Sequence, residues 1–111
     1  MNADITDLTS LRDALRDFAA ARDWRQFHTP KNLAMAMIVE AAELVEHFQW
    51  LTPEQSLALT PEQLAEVRDE VADTLIYLVE LADALGIDPI AAARAKIAKN
   101  AVKYPAPEKS S

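Results

Sequence analysis

The stretch TPEQLAEVRDEVADTLIYLVELADALG, residues 60–86, decides the fold. Thr60 is an N-cap type, Pro61 suits the first helical position, and Gln63 follows the threonine by three, as in a capping box. Gly86 supplies the stop. Between them, Val67, Val71, Leu75, Leu78, Ala82 and Leu85 recur at helical spacing and form one apolar face. Glu66, Glu70, Asp73, Tyr77 and Glu80 run along its side at steps of 4, 3, 4 and 3. Ala72, Ile76 and Val79 add apolar surface beyond the main face. The pattern predicts one long helix over 61–85, apolar over more than half its girth. Such a helix is covered on two sides, which calls for a second chain as well as its own neighbours.

The same punctuation recurs outward. Thr29-Pro30, Thr52-Pro53 and Asp88-Pro89 each pair a cap with proline, and TPEQ appears again at 52–55. Helices are predicted at about 6–24, 30–50 and 89–103, with a short helical turn near 53–58. One glycine and no strand-like alternation make the chain all-α, a four-helix-bundle-like subunit. Residues 1–111 read as one domain with its core over about 6–104, and 105–111 as a frayed tail.

Composition narrows the function classes. Hydrophobic residues make up 50% and charged residues 26% of 111 residues, the balance of a globular protein. No cysteine is present, so neither a disulfide framework nor a thiolate metal site is available. A chain this short gains extra core by oligomerising. With 18 acidic and 11 basic residues the net charge is −7, against the basic footprint of proteins that bind nucleic-acid polymers. A nucleotide held through metal ions remains compatible with that charge. MNADITDLTS lacks the marks of a signal peptide, and no apolar run reaches the roughly 18 residues of a membrane span. A cytoplasmic location without membrane contact is the expectation.

Chemistry concentrates in IVEAAELVEHFQW, residues 38–50. On a helical wheel Leu33, Met37, Ala41, Leu44 and Phe48 form the apolar stripe, with Glu40 at its margin and Glu43 on the same flank. Glu40/Glu43 and Glu70/Asp73 are two acid pairs at i,i+3. Acid pairs of this kind are common on solvated helices, but two at core margins would repel if brought together. Hard divalent cations relieve that repulsion, and oxygen-only ligands favour Mg²⁺ or Mn²⁺ over zinc. A diiron bundle calls for Glu-x-x-His, whereas His47 follows Glu43 by four and the 61–85 helix has no histidine. Along the last helix Lys96, Asn100, Lys103 and Tyr104 share one face, suited to phosphate oxygens. Trp24, Phe27, His28 and Trp50 lie near helix ends, where aromatics seal a bundle or sandwich a planar base.

With these residues assembled, the chain resembles the all-α nucleoside triphosphate pyrophosphatases of the MazG type, closest to the small dCTP pyrophosphatase branch. The resemblance runs from FHTPKNLAMAMIVEAAELVEHFQW through DEVADTLIYLVELADALGID to KIAKNAVKYP. It implies Mg²⁺ ligands at Glu40, Glu43, Glu70 and Asp73, with Mn²⁺ as a substitute. It places phosphate contacts on Lys96, Asn100, Lys103 and Tyr104, and the base and sugar pocket on Trp24, His28, Trp50 and Tyr77. One departure is Val39, where the broader pattern has a glutamate; Glu46 and Glu66 are the nearby acids. The implied assembly is a homodimer or homotetramer whose active site draws on more than one chain.

The resemblance implies hydrolysis of a nucleoside triphosphate, of deoxycytidine type, to the monophosphate and pyrophosphate. Water attacks the α-phosphorus, one of the four acids or Glu46 serves as base, and Lys96, Asn100 and Tyr104 receive the departing charge. Two rival readings stay open at this point. One is a non-catalytic helical module that binds nucleotides or partner proteins. The other is a structural oligomer with a solvated acid stripe.

Overall fold

The computed structural model describes residues 4–108, so the first three residues and the last three of the expected tail lie outside the described residues. Five helices follow in order: α1 Leu8–Ala21, α2 Pro30–Glu46, α3 Pro53–Ser56, α4 Pro61–Ala84 and α5 Pro89–Lys103. A 3-10 turn, Arg25–Phe27, precedes α2, and no strand occurs among the described residues. The all-α expectation holds.

Local chemistry explains the boundaries. Thr29, Thr52 and Thr60 cap α2, α3 and α4 by accepting from the backbone N–H three residues on. Gln55 and Gln63 complete both TPEQ capping boxes by accepting from the threonine N–H. Asp7 caps α1 with Ser10 as its reciprocal partner, so that helix begins at 8 rather than 6. It stops at Ala21 rather than 24 because Asp23 turns left-handed at φ 56° and the Trp24 N–H closes on the Ala19 carbonyl at 2.9 Å. Gly86, at φ 67°, ends α4 the same way, with the Ile87 N–H 2.8 Å from the Ala82 carbonyl. The second helix ends at Glu46, not 50. Past it the N–H groups of His47, Phe48 and Leu51 reach back only three residues, and Pro53 forces the residue before it out of helical backbone.

α4 is the axis. α2 packs along it antiparallel and α1 crosses its C-terminal half. Ala19, Leu33, Val79 and Ala82 form the core where the three meet, and Leu33 is 2% exposed. The predicted stripe of α2 is buried or half-buried throughout. On α4 the outcome differs. Val67 and Ala82 of the expected main face are buried, but Val71, Leu75, Leu78 and Leu85 stand open, and Val79 is buried instead. The protomer has only α1 and α2 to lay against α4, and both cover its Val79 side.

The consequence is an open, elongated protomer. Its radius of gyration is 17.6 Å, against about 13 Å for a compact domain of this length. Its accessible surface is 8870 Å², roughly 2,800 Å² more than a globular chain of 12.3 kDa shows. α5 makes little contact with the other helices and leaves Ile90, Ile97 and Val102 exposed.

Candidate functional site

Antiparallel pairing of α2 and α4 sets the acid flank of one against the acid stripe of the other. Glu40, Glu43 and Glu70 converge there, each offering a carboxylate oxygen within 4.8 Å of the others. Glu70 Oε2 is closed off from solvent and accepts no hydrogen bond. Burial, then the neighbouring Glu43, Asp73 and Glu70, pushes the Glu40 carboxyl up to about 7. Burial and the charges of Glu43 and Asp73 raise Glu70 as well. Three like charges in this space are costly as they stand. The donor set is hard, anionic and oxygen-only, with one buried oxygen unserved, which fits a divalent cation such as Mg²⁺ or Mn²⁺.

Asp73 stands one turn from Glu70, exposed and outside the tight triad, yet its charge reaches Glu40, Glu70 and Tyr77. Tyr77 is half-buried beside the cluster, its hydroxyl pushed up by burial and by Glu40, Glu80 and Asp73. Glu46 is exposed and outside the triad. Glu66 faces His47 instead, Oε2 3.7 Å from Nδ1.

Further along α4 a cavity of about 500 Å³ opens between α1, the start of α2 and the end of α4. His28 is held at its mouth because Asn32 of α2 donates to the Phe27 carbonyl at 3.0 Å, tying the 3-10 turn to the helix start. His28 Nδ1 lies 2.9 Å from Glu80 Oε2. Arg16 and Asp83 close another wall through a two-toothed ion pair that lowers the Asp83 carboxyl and raises the Arg16 guanidinium.

The remaining sequence-derived residues are not drawn together by the single chain. Trp24 packs edge-on against Phe18, ring centres 5.7 Å apart, and is not part of the cavity wall. Trp50, past the end of α2, is 86% exposed. Among the described residues no hydrogen bond or ion pair joins Lys96, Asn100, Lys103 or Tyr104 to the carboxylates; Lys103 Nζ lies 5.2 Å over the Tyr104 ring. Sequence reasoning passed over Glu80 and Asp83 as cavity residues. The signal was the α4 stripe itself, whose last member is Glu80.

Comparison with known proteins gives consistent neighbours. The sequence profile of the MazG-like family matches residues 35–111. The chain is 41% identical over 100 residues to dCTP pyrophosphatase 1 of Bos taurus, covering 88% of this chain and 59% of that protein. It is 41% identical over 101 residues to dCTP pyrophosphatase 1 of Homo sapiens, covering 89% and 59%. The chain thus spans about three-fifths of the length of the curated relatives it matches. The crystal structure of a pyrophosphatase from Archaeoglobus fulgidus superposes with a TM-score of 0.84 at 43% identity, covering 89% of this chain and 93% of that one.

Proposed function

The chain belongs to the MazG-like family, and on that premise we propose that it is a nucleoside triphosphate pyrophosphohydrolase. It converts a (d)NTP and water to the (d)NMP and diphosphate, with dCTP or a modified dCTP as the favoured substrate. The observation that carries this reading is the convergence of Glu40, Glu43 and Glu70 around a buried, unserved Glu70 oxygen. The named activities of the relatives supply the reaction class.

Glu40, Glu43 and Glu70 hold Mg²⁺, with Mn²⁺ as a substitute, and Asp73 completes the set from the next turn. When bound, the cation neutralises triphosphate charge and supplies a Lewis acid for hydrolysis. Water attacks the α-phosphorus, and a carboxylate oxygen of the cluster accepts its proton. Glu46, exposed and outside the triad, is the poorer candidate for that base. Tyr77 and His28 lie on the path from the cluster to the cavity and contact the sugar and base. Lys96, Asn100, Lys103 and Tyr104 stabilise the departing diphosphate.

In the isolated protomer α5 is splayed, so these last residues reach a cluster when two copies associate through the open α2, α4 and α5 faces, as a dimer or tetramer. Trp24 and Trp50, both exposed, are then free to flank a base. The reaction of a small nucleotide with no polymer or membrane partner suits a cytoplasmic protein. No helix among the described residues is long and apolar enough to cross a membrane.

The test is a screen of common and modified triphosphates for diphosphate release with Mg²⁺. Wild type is expected to release it, with Glu40→Gln and Asp73→Asn folded but without turnover. Full activity in both variants would sink the site assignment, and purine-centred activity would overturn the choice of dCTP.

A further inference from the structure

The cavity beside His28 has a wall group that the metal cluster does not explain, the half-buried carboxylate of Glu80. Glu80 projects from α4 with its side chain 14% exposed. Of its two oxygens, only Oε2 is closed off from solvent and without a hydrogen bond, though it lies 2.9 Å from His28 Nδ1. Oε1 is not closed off in this way, and Glu80 lines the cavity. Three arginines share the wall, and of these Arg25 has no hydrogen bond or ion pair from its side chain among the described residues. Arg16 grips Asp83, and Arg12 lies 3.0 Å from Asp13. Leu33, Val79 and Ala19 give the cavity an apolar floor.

Position matters as much as chemistry. On α4 Glu80 follows Glu70 by ten residues and Asp73 by seven, which sets it about 15 Å along the axis from the first and about 10 Å from the second. Tyr77 sits between. With phosphates at the cluster, a nucleotide laid along α4 brings its base to the cavity. This placement rests on the proposed function.

We infer that Glu80, steadied by His28, reads the exocyclic amine of the base, and so sets a preference for cytosine over uracil or thymine. An ionised carboxylate can only accept hydrogen bonds. Cytosine offers it an N4 amine, the contact by which acidic side chains recognise this base. Uracil and thymine present a carbonyl oxygen at the same place, and two acceptors repel. The half-buried setting of Glu80 sharpens the difference, because an acceptor that gives up water to a ligand without a donor is left unpaired. Burial, the larger influence, raises the Glu80 carboxyl, and the neighbouring His28 offsets part of that rise.

The test is equilibrium binding of dCMP and dUMP to the full chain without divalent metal, by calorimetry. Wild type is expected to bind dCMP about tenfold or more tightly than dUMP. In Glu80→Gln, whose amide can also donate, and in Glu80→Ala, the two affinities are expected to fall within about threefold. Thermal melts identify folded variants. Equal affinities in wild type, or a cytosine preference that survives in both folded variants, overturn the inference. Diphosphate release from dCTP is measured separately: its absence refutes the proposed function, whereas base discrimination in binding stands or falls without turnover.

Discussion

Proton release on metal binding follows directly from the crowding of Glu40. Its carboxyl sits at about 7 instead of the ordinary 4.5, and a cation can be held only by the ionised form. At pH 7 about half of the metal-free molecules carry that proton, at pH 6 about nine-tenths, and at pH 8 about one-tenth. Binding of Mg²⁺ is therefore expected to release about 0.5 proton at pH 7 from Glu40 alone, and about 0.9 at pH 6. Glu70, also raised, adds to both. Apparent affinity is expected to tighten about tenfold between pH 6 and pH 8. Calorimetric titration in buffers of different ionisation enthalpy counts the protons, and Glu40→Gln should remove most of them. The same linkage acts on folding. A carboxyl raised in the folded state favours that state below its folded value, so metal-free stability should decline as pH rises through 5 to 8. Mg²⁺ should restore it most at the high end. A pH-independent affinity with no proton release would refute the crowding of these carboxylates.

Leu33→Ala removes the one large side chain that is fully buried among the described residues, and is expected to cost about 2–5 kcal/mol, read as a fall in Tm. A cost under about 1 kcal/mol would place the core elsewhere. Asp23→Gly relieves a left-handed backbone at φ 56° and should stabilise by up to about 1 kcal/mol in denaturant melts. Light scattering should give a multiple of the 12.3 kDa protomer mass, and Val71→Glu with Leu78→Glu should dissociate it. A wild-type monomer at micromolar concentration would contradict the assembly proposed from the open faces.

The starts of α2, α3, α4 and α5 were legible because capping is local, each Thr-Pro or Asp-Pro pair settling its own N–H groups, whereas both ends of α1 and the end of α2 fell elsewhere than expected. The Glu40, Glu43 and Glu70 triad was legible for a related reason. Spacing put each acid on a known flank, and antiparallel packing of α2 on α4 brought the flanks together. Which side of α4 the protomer covers was not legible. Val71 and Val79 belong to apolar faces of similar character, and only the positions of α1 and α2 choose between them. The His28–Glu80 contact was equally hidden. It joins residues far apart in sequence through a 3-10 turn whose geometry depends on Asn32 reaching back to Phe27.

Product analysis tests the central claim most directly. With dCTP and Mg²⁺, separation of the nucleotide and phosphate products should show dCMP and diphosphate in equal amounts, formed by wild type and absent with Glu40→Gln or Glu70→Gln. Formation of dCDP and orthophosphate, or undiminished turnover in both folded variants, would contradict it.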